Sequence, residues 1–403
     1  MRRFKTIFAR ILLLIASVVF TLVGMEAVMR VFDLGPRIGG IEVGILRLSD
    51  NPVLRYENVP GARKGKKETL NADGMRNRDI PVKKGGKVVR VACIGDSITF
   101  GYGVGRGASF CAQLETHLNR RLRGEARRFE VLNFGVAGYS CAQIVESVPA
   151  KALKYRPDVI VYGYCLNDPQ DYSHELEMLL EQLPENRRDE VRSGADSWRR
   201  WIRRSRLYQT VRLVLAPARK ATPGRHDAQA PHPTSVDLYE DPQFEAHANG
   251  RMEEYFLAIH RDPARWSALL GQLTRLGRIS RDEDIPVVVL IFPLLSELDD
   301  YGLAGVHRRL LEAARGRDLA AFDLLPLYQA LENETGIVAG QAHGSSIDPL
   351  HPSPPGHALA ALYVYRLLRS HPRLAEKFGG EENLTADNPD PGLARIVNAA
   401  PTE

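Results

Sequence analysis

Five short runs of β-branched and other apolar residues punctuate the chain: VVRVACI (88–94), FEVLNF (129–134), DVIVYGY (158–164), PVVVLIF (286–292) and a weaker LAAFDLL (319–325). Continuous apolar runs of this length suit strands buried on both faces. The stretches between them read as helices, and strand-helix alternation predicts a parallel sheet covered on both sides, a three-layer α/β/α sandwich. At 403 residues the chain is long enough for one large or two ordinary domains. Its 44% hydrophobic and 26% charged residues exclude a collagen-like or wholly disordered polymer. Four cysteines without CxxC spacing argue against a disulfide scaffold, a zinc site or a dithiol redox centre.

The first ten residues carry Arg2, Arg3, Lys5 and Arg10 and no acid, and residues 11–25 are uncharged and mostly apolar. Extended by residues 7–8 and 27–29, this run approaches the roughly 20 residues that a bilayer span needs. We read residues 1–32 as an uncleaved signal anchor. The rival is a cleavable signal peptide, although no clear A-x-A site follows the run. The basic residues before the run hold that end in the cytoplasm and place the rest of the chain outside it, on the periplasmic side in a bacterium. Such a compartment allows a Cys111–Cys141 bridge, whereas Cys93 and Cys165, inside or beside apolar runs, read as small buried hydrophobes.

Residues 33–87 form a polar, Gly- and Lys-rich lead-in, expected to be loops and an edge hairpin, and the α/β domain is expected over 88–372. About 120 residues separate the third and fourth runs, far more than a crossover helix needs, so an insertion is expected over about 180–247. Within it, residues 187–220 hold 11 Arg and Lys against 3 acids, an excess of +8 that exceeds the +5 of the whole chain. Trp198, Trp201 and Ile202 fall on one side of a helix there, opposite Arg199, Arg200, Arg203 and Arg204. That pattern reads as a solvated helix packed on the domain in preference to one lying on an anionic membrane or lidding a site. The charge brings no nucleic-acid recognition motif with it, so nucleic acid is not expected as a partner. Residues 379–403, rich in Gly, Asn, Asp and Pro, are expected to be disordered.

The first run ends in Gly95-Asp96-Ser97-Ile98-Thr99. A serine at the carboxyl end of the first strand of a parallel sheet lies where such sheets place their ligands. Its hydroxyl is a weak nucleophile that needs a base, and the base needs an acid to fix its tautomer. Asp348 and His351, three residues apart near the other end of the chain, supply both: His351 takes the Ser97 proton and Asp348 holds the imidazole. His357, a turn into the apolar stretch that follows, is expected to be structural. The oxyanion of a tetrahedral intermediate needs donors at neighbouring strand ends. The residues Asn133-Phe134-Gly135-Val136-Ala137-Gly138 after the second run and Leu166-Asn167-Asp168 after the third provide candidates. Taken singly, each motif is an ordinary turn.

Together the four segments resemble the blocks of the SGNH hydrolases, also called GDSL-type esterases and lipases. Gly95-Asp96-Ser97 resembles the first block, Asn133 to Gly138 the second, Asn167-Asp168 the third and Asp348 to His351 the fifth. The resemblance implies a flavodoxin-like five-stranded parallel sheet and a serine hydrolase in which Ser97, His351 and Asp348 are catalytic. It also implies that the N–H groups of Ser97 and Gly138 and the amide of Asn167 form the oxyanion hole. It implies no metal or organic cofactor. Cys165 and Leu166 depart from the glycines that often precede the third-block asparagine. The lead-in segment Asn71-Ala72-Asp73-Gly74-Met75-Arg76 also resembles one found upstream of the first block in membrane-anchored relatives. The expected reaction is de-acylation of a short acyl or acetyl ester on an extracytoplasmic glycan. Hydrolysis of a lipid ester, acyl transfer by the same site, and a non-catalytic glycan-binding or assembly role are the alternatives.

Overall fold

The structure is a computed structural model. It describes residues 42–64, 68–120, 128–170, 172–183, 250–343, 346–370, 372, 374–378 and 391–401, with isolated positions at 188, 243 and 246 and between 10 and 28. All five apolar runs are strands of one parallel sheet: Val88–Gly95, Arg128–Asn133, Val159–Tyr164, Val287–Ile291 and Ala320–Asp323. Numbered along the chain, their spatial order is 5-4-3-1-2. The two middle strands after the second are buried at every position, as their unbroken apolar sequences require. Because the chain leaves the first strand to one side and then crosses to the other, right-handed crossovers place helices on both faces. Helix Phe110–Arg120 packs against Pro354–Ser370, and Cys141–Ser147 against Pro263–Asp282. The reversal also opens a crevice at the carboxyl ends of the first and third strands.

The lead-in is part of this body and no mere tether. Glu42–Val43, Leu46–Leu48 and Tyr56–Asn58 form an antiparallel sheet, and Leu46, Leu48, Leu54, Tyr56, Met75 and Ile80 are buried in the main core.

Two further expectations meet the structure differently. The Cys111–Cys141 bridge is not formed: all four cysteines are buried thiols. Of the tail expected to be disordered, Pro391–Ala399 is a helix whose Leu393, Ala394, Ile396 and Val397 are buried against helices Leu325–Thr335 and Pro354–Ser370. Its Pro391 sits at the first helical position, where a missing N–H costs nothing. Most of the signal anchor and almost all of the basic insertion fall outside the described residues. Among the described residues no helix is long and apolar enough to cross a membrane.

Candidate active site

Ser97 opens a four-residue helix, Ser97–Phe100, directly after the first strand. Asp96 caps it, its Oδ1 accepting from the Ile98 N–H at 3.0 Å, which fixes the turn that presents Ser97. The Ser97 hydroxyl lies 2.9 Å from His351 Nε2, and His351 Nδ1 lies 2.7 Å from Asp348 Oδ2. These three side chains, 254 residues apart at the extremes, thus form one hydrogen-bonded chain.

The Asp348–His351 pair sits on one arm of a hairpin, Ser346–Pro352 paired with Gly340–His343. In a regular strand residues three apart face opposite ways. Here the second carboxylate oxygen of Asp348 accepts from the backbone N–H groups of Leu350 at 2.9 Å and His351 at 3.1 Å. This Asx-type turn swings His351 back over its own acid. Burial would raise the Asp348 pKa, but the hydrogen bond and charge of His351 and the two backbone donors outweigh it and hold the carboxyl below its usual value. The ionised acid that an orienting partner requires is therefore favoured. The hairpin is tied down by Gln341, whose Nε2 donates to Tyr102 O at 2.6 Å and Pro352 O at 3.1 Å. A second tie runs from the Leu295 N–H to Pro349 O at 2.6 Å. Tyr102 lies beside the imidazole, ring centroids 5.0 Å apart, with 47% of its surface exposed.

The other two blocks converge on the same edge of the sheet. Val136 N–H donates to Gly95 O at 3.2 Å and Cys141 N–H to Asp168 O at 2.8 Å, stitching the loop after the second strand to its neighbours on both sides. Gly138 adopts φ +70°, a left-handed conformation that glycine takes without strain. Asn167 is buried to 6% exposure, and its Oδ1 has no hydrogen-bond partner. Asn133 turns back over its own loop, accepting from Gly135 N–H at 3.0 Å and donating to Thr99 O at 2.8 Å.

Beneath the Ser97 turn lies a buried acid cluster that the motifs alone did not disclose. Asp96 and Asp168 are both fully buried. Burial raises the pKa of each, and for Asp168 the charge of Asp96 raises it further. Tyr162 donates its hydroxyl to Asp168 Oδ2 at 2.5 Å. Cys165, which departs from the usual glycine, is a buried thiol at 2% exposure. His357 is structural, as expected: it is fully buried and stacked on Phe110, and burial, His351 and Arg76 push its pKa down to about 3.

A family model described as GDSL-like Lipase/Acylhydrolase matches residues 93–359. The chain belongs to that family, and so to the serine hydrolases that act on ester bonds. No curated protein matches it. Among solved structures, an acetyl xylan esterase is 12% identical, with 68% of this chain and 96% of that one covered at a TM-score of 0.36. A variant of an acetyl-xylooligosaccharide esterase from Geobacillus is also 12% identical, covering 73% and 95% at 0.35. A member of the lipolytic G-D-S-L family from Veillonella parvula is 14% identical, covering 68% and 94% at 0.33.

Proposed function

We propose that the protein removes short acyl groups from ester-linked glycans outside the cytoplasm, through an acyl-enzyme on Ser97. The observation that supports it most is the Ser97–His351–Asp348 chain, at 2.9 and 2.7 Å. His351 Nε2 accepts the Ser97 proton as Oγ attacks the ester carbonyl, and the resulting imidazolium is held by Asp348. The oxyanion takes hydrogen bonds from the N–H groups of Ser97 and Gly138 and the Asn167 amide. Collapse expels the alcohol, which leaves with the proton from His351, and the acyl group stays on Ser97. Water, giving a proton to His351, then attacks the acyl carbonyl, releasing the acid and restoring the Ser97 hydroxyl. The half-exposed Tyr102 ring beside His351 suits the alcohol side, because an aromatic face packs against the apolar face of a sugar. The apolar run at residues 11–25 holds the enzyme at the membrane with the site on the far side.

Asp348→Asn is expected to lower kcat by about 10²- to 10⁴-fold with little change in KM, since the amide no longer stabilises the imidazolium or enforces its tautomer. Steady-state hydrolysis of p-nitrophenyl acetate measures it, and a kcat within threefold of wild type would remove Asp348 from the mechanism.

The substrate class is tested with the full-length protein in detergent on p-nitrophenyl acetate, butyrate and octanoate, followed by acetylated oligosaccharides. Acetate is expected to exceed octanoate in kcat/KM by about tenfold or more, each methylene being worth up to about 0.8 kcal/mol only where a pocket receives it. A preference for octanoate would move the assignment to lipid esters. Acetate transferred to an added sugar in preference to water would make the protein an acyltransferase.

A further inference from the structure

The lead-in segment Asn71–Asn77 has no place in the reaction above, yet its side chains converge on the site. Arg76 is 2% exposed. Its guanidinium donates to the carbonyls of Phe100 at 2.9 Å, of Gly101, and of Val104 at 2.6 Å, and lies 4.7 Å from the centre of the Phe100 ring. Phe100 and Gly101 end the helix that Ser97 begins, so Arg76 takes up carbonyls that a helix terminus leaves without partners. The next residue reaches the other half of the site. Asn77 donates to Val131 O at 2.8 Å and accepts from the Asn133 N–H at 2.6 Å, and Asn133 in turn bonds Thr99 O. Two consecutive residues therefore span the nucleophile turn and the strand that leads into the oxyanion loop.

The rest of the segment holds those two in place. Asn71 Oδ1 accepts from the N–H groups of Asp73 at 3.0 Å and Met75 at 2.9 Å, making the turn. Gly74 has φ +77°, and a Cβ there would lie 2.8 Å from Asn58 O. Asp73 pairs with Lys154 at 2.6 Å and accepts from the Tyr155 hydroxyl. A buried guanidinium whose two terminal nitrogens bond several carbonyls in a fixed fork is a geometric device that lysine does not reproduce.

We propose that Arg76 and Asn77 are positioning residues that set the Ser97 turn against the oxyanion loop. This rests on Ser97 being the nucleophile. Displacing a reacting group by about 1 Å costs about 100-fold in rate, so the clamp acts on kcat and not merely on stability.

The test compares Arg76→Lys and Asn77→Ala with wild type. It measures kcat and KM per active site titrated with a fluorophosphonate, the second-order rate of that labelling, and Tm. Counting titrated sites removes any contribution from unfolded molecules. The expected result is a per-site kcat about 10- to 100-fold lower for Arg76→Lys and about 3- to 10-fold lower for Asn77→Ala. KM should stay within threefold, and labelling should slow in parallel. A per-site kcat within twofold of wild type in the folded variants, however far Tm falls, would overturn the proposal and leave the segment a structural brace. Should Arg76→Lys fail to fold, the partly exposed Asn77→Ala decides on the same criterion. Should Ser97→Ala keep activity, it is the nucleophile assignment that fails, and the two failures are thereby distinct.

Discussion

Replacing Ser97 by alanine is expected to lower ester hydrolysis by about a millionfold while leaving the fold intact. The hydroxyl makes two contacts, to His351 Nε2 at 2.9 Å and to Asp96 Oδ2 at 3.2 Å. Neither carries the architecture of the turn, which depends on Asp96 accepting from the Ile98 backbone and is untouched by the change. Alanine is also a good helix former at an N-terminal position. Thermal unfolding should therefore stay within a few degrees of wild type while p-nitrophenyl acetate turnover falls to background. The same measurement on His351→Ala should give a loss of similar size, because nucleophile and base act as a unit and their effects do not add. Residual turnover above about a hundredth of wild type in Ser97→Ala would mean that another group attacks.

Gly135→Ala is expected to have the largest effect on stability. Its ideal Cβ would fall 2.2 Å from Phe100 N and 2.7 Å from Thr99 C, atoms of the backbone of the helix Ser97–Phe100 that no side-chain rotation removes. The glycine is held from both sides, its N–H donating to Asn133 Oδ1 at 3.0 Å and its carbonyl accepting from Asn58 Nδ2 at 3.1 Å. Neither strand end yields without breaking these bonds. Overpacking of this kind costs about 3 kcal/mol or more, which in a domain of this size lowers Tm by about 5 °C or more. Calorimetry measures it. Activity should fall as well, because the strain is relieved only by moving the Ser97 helix away from the loop that carries Gly138. A Tm unchanged within 1 °C would show that the two segments are less closely packed than the geometry requires. Gly138 differs in kind: its φ of +70° favours glycine, but the nearest obstacle to a Cβ is the end of the Glu175 side chain, which can swing aside.

How far the sequence disclosed all this depends on the range of the interactions concerned. The sheet was legible because each strand is a local apolar run: PVVVLIF at 286–292 became Val287–Ile291, and even the weak LAAFDLL contains Ala320–Asp323. The convergence of Ser97, His351 and Asp348 was legible because an activated hydroxyl needs a base and the base an acid, and one hydrogen-bonded chain brings together these residues that the sequence keeps far apart. The grip of the lead-in was not. Tyr56 donates to Ala137 O at 2.8 Å, Tyr139 to Tyr56 O at 2.6 Å and Gln143 to Leu54 O at 2.7 Å. These bonds link positions more than 80 residues apart through backbone carbonyls, which every residue has and no motif marks. The helix Pro391–Ala399 was hidden by its surroundings, because the polar residues before it dominate the composition of the tail. Its own spacing, with Leu393, Ile396 and Val397 on one face, is what a short amphipathic helix requires.

Covalent trapping identifies the residue that attacks the ester. The full-length protein is treated with a fluorophosphonate, digested, and the modified peptide located by mass spectrometry. A single phosphonyl adduct on Ser97 is expected, formed in wild type, absent in Ser97→Ala and slowed by about 10³-fold or more in His351→Ala, since the proton has no other acceptor as well placed. An adduct on another residue, or labelling at Ser97 that proceeds equally fast without His351, would contradict it.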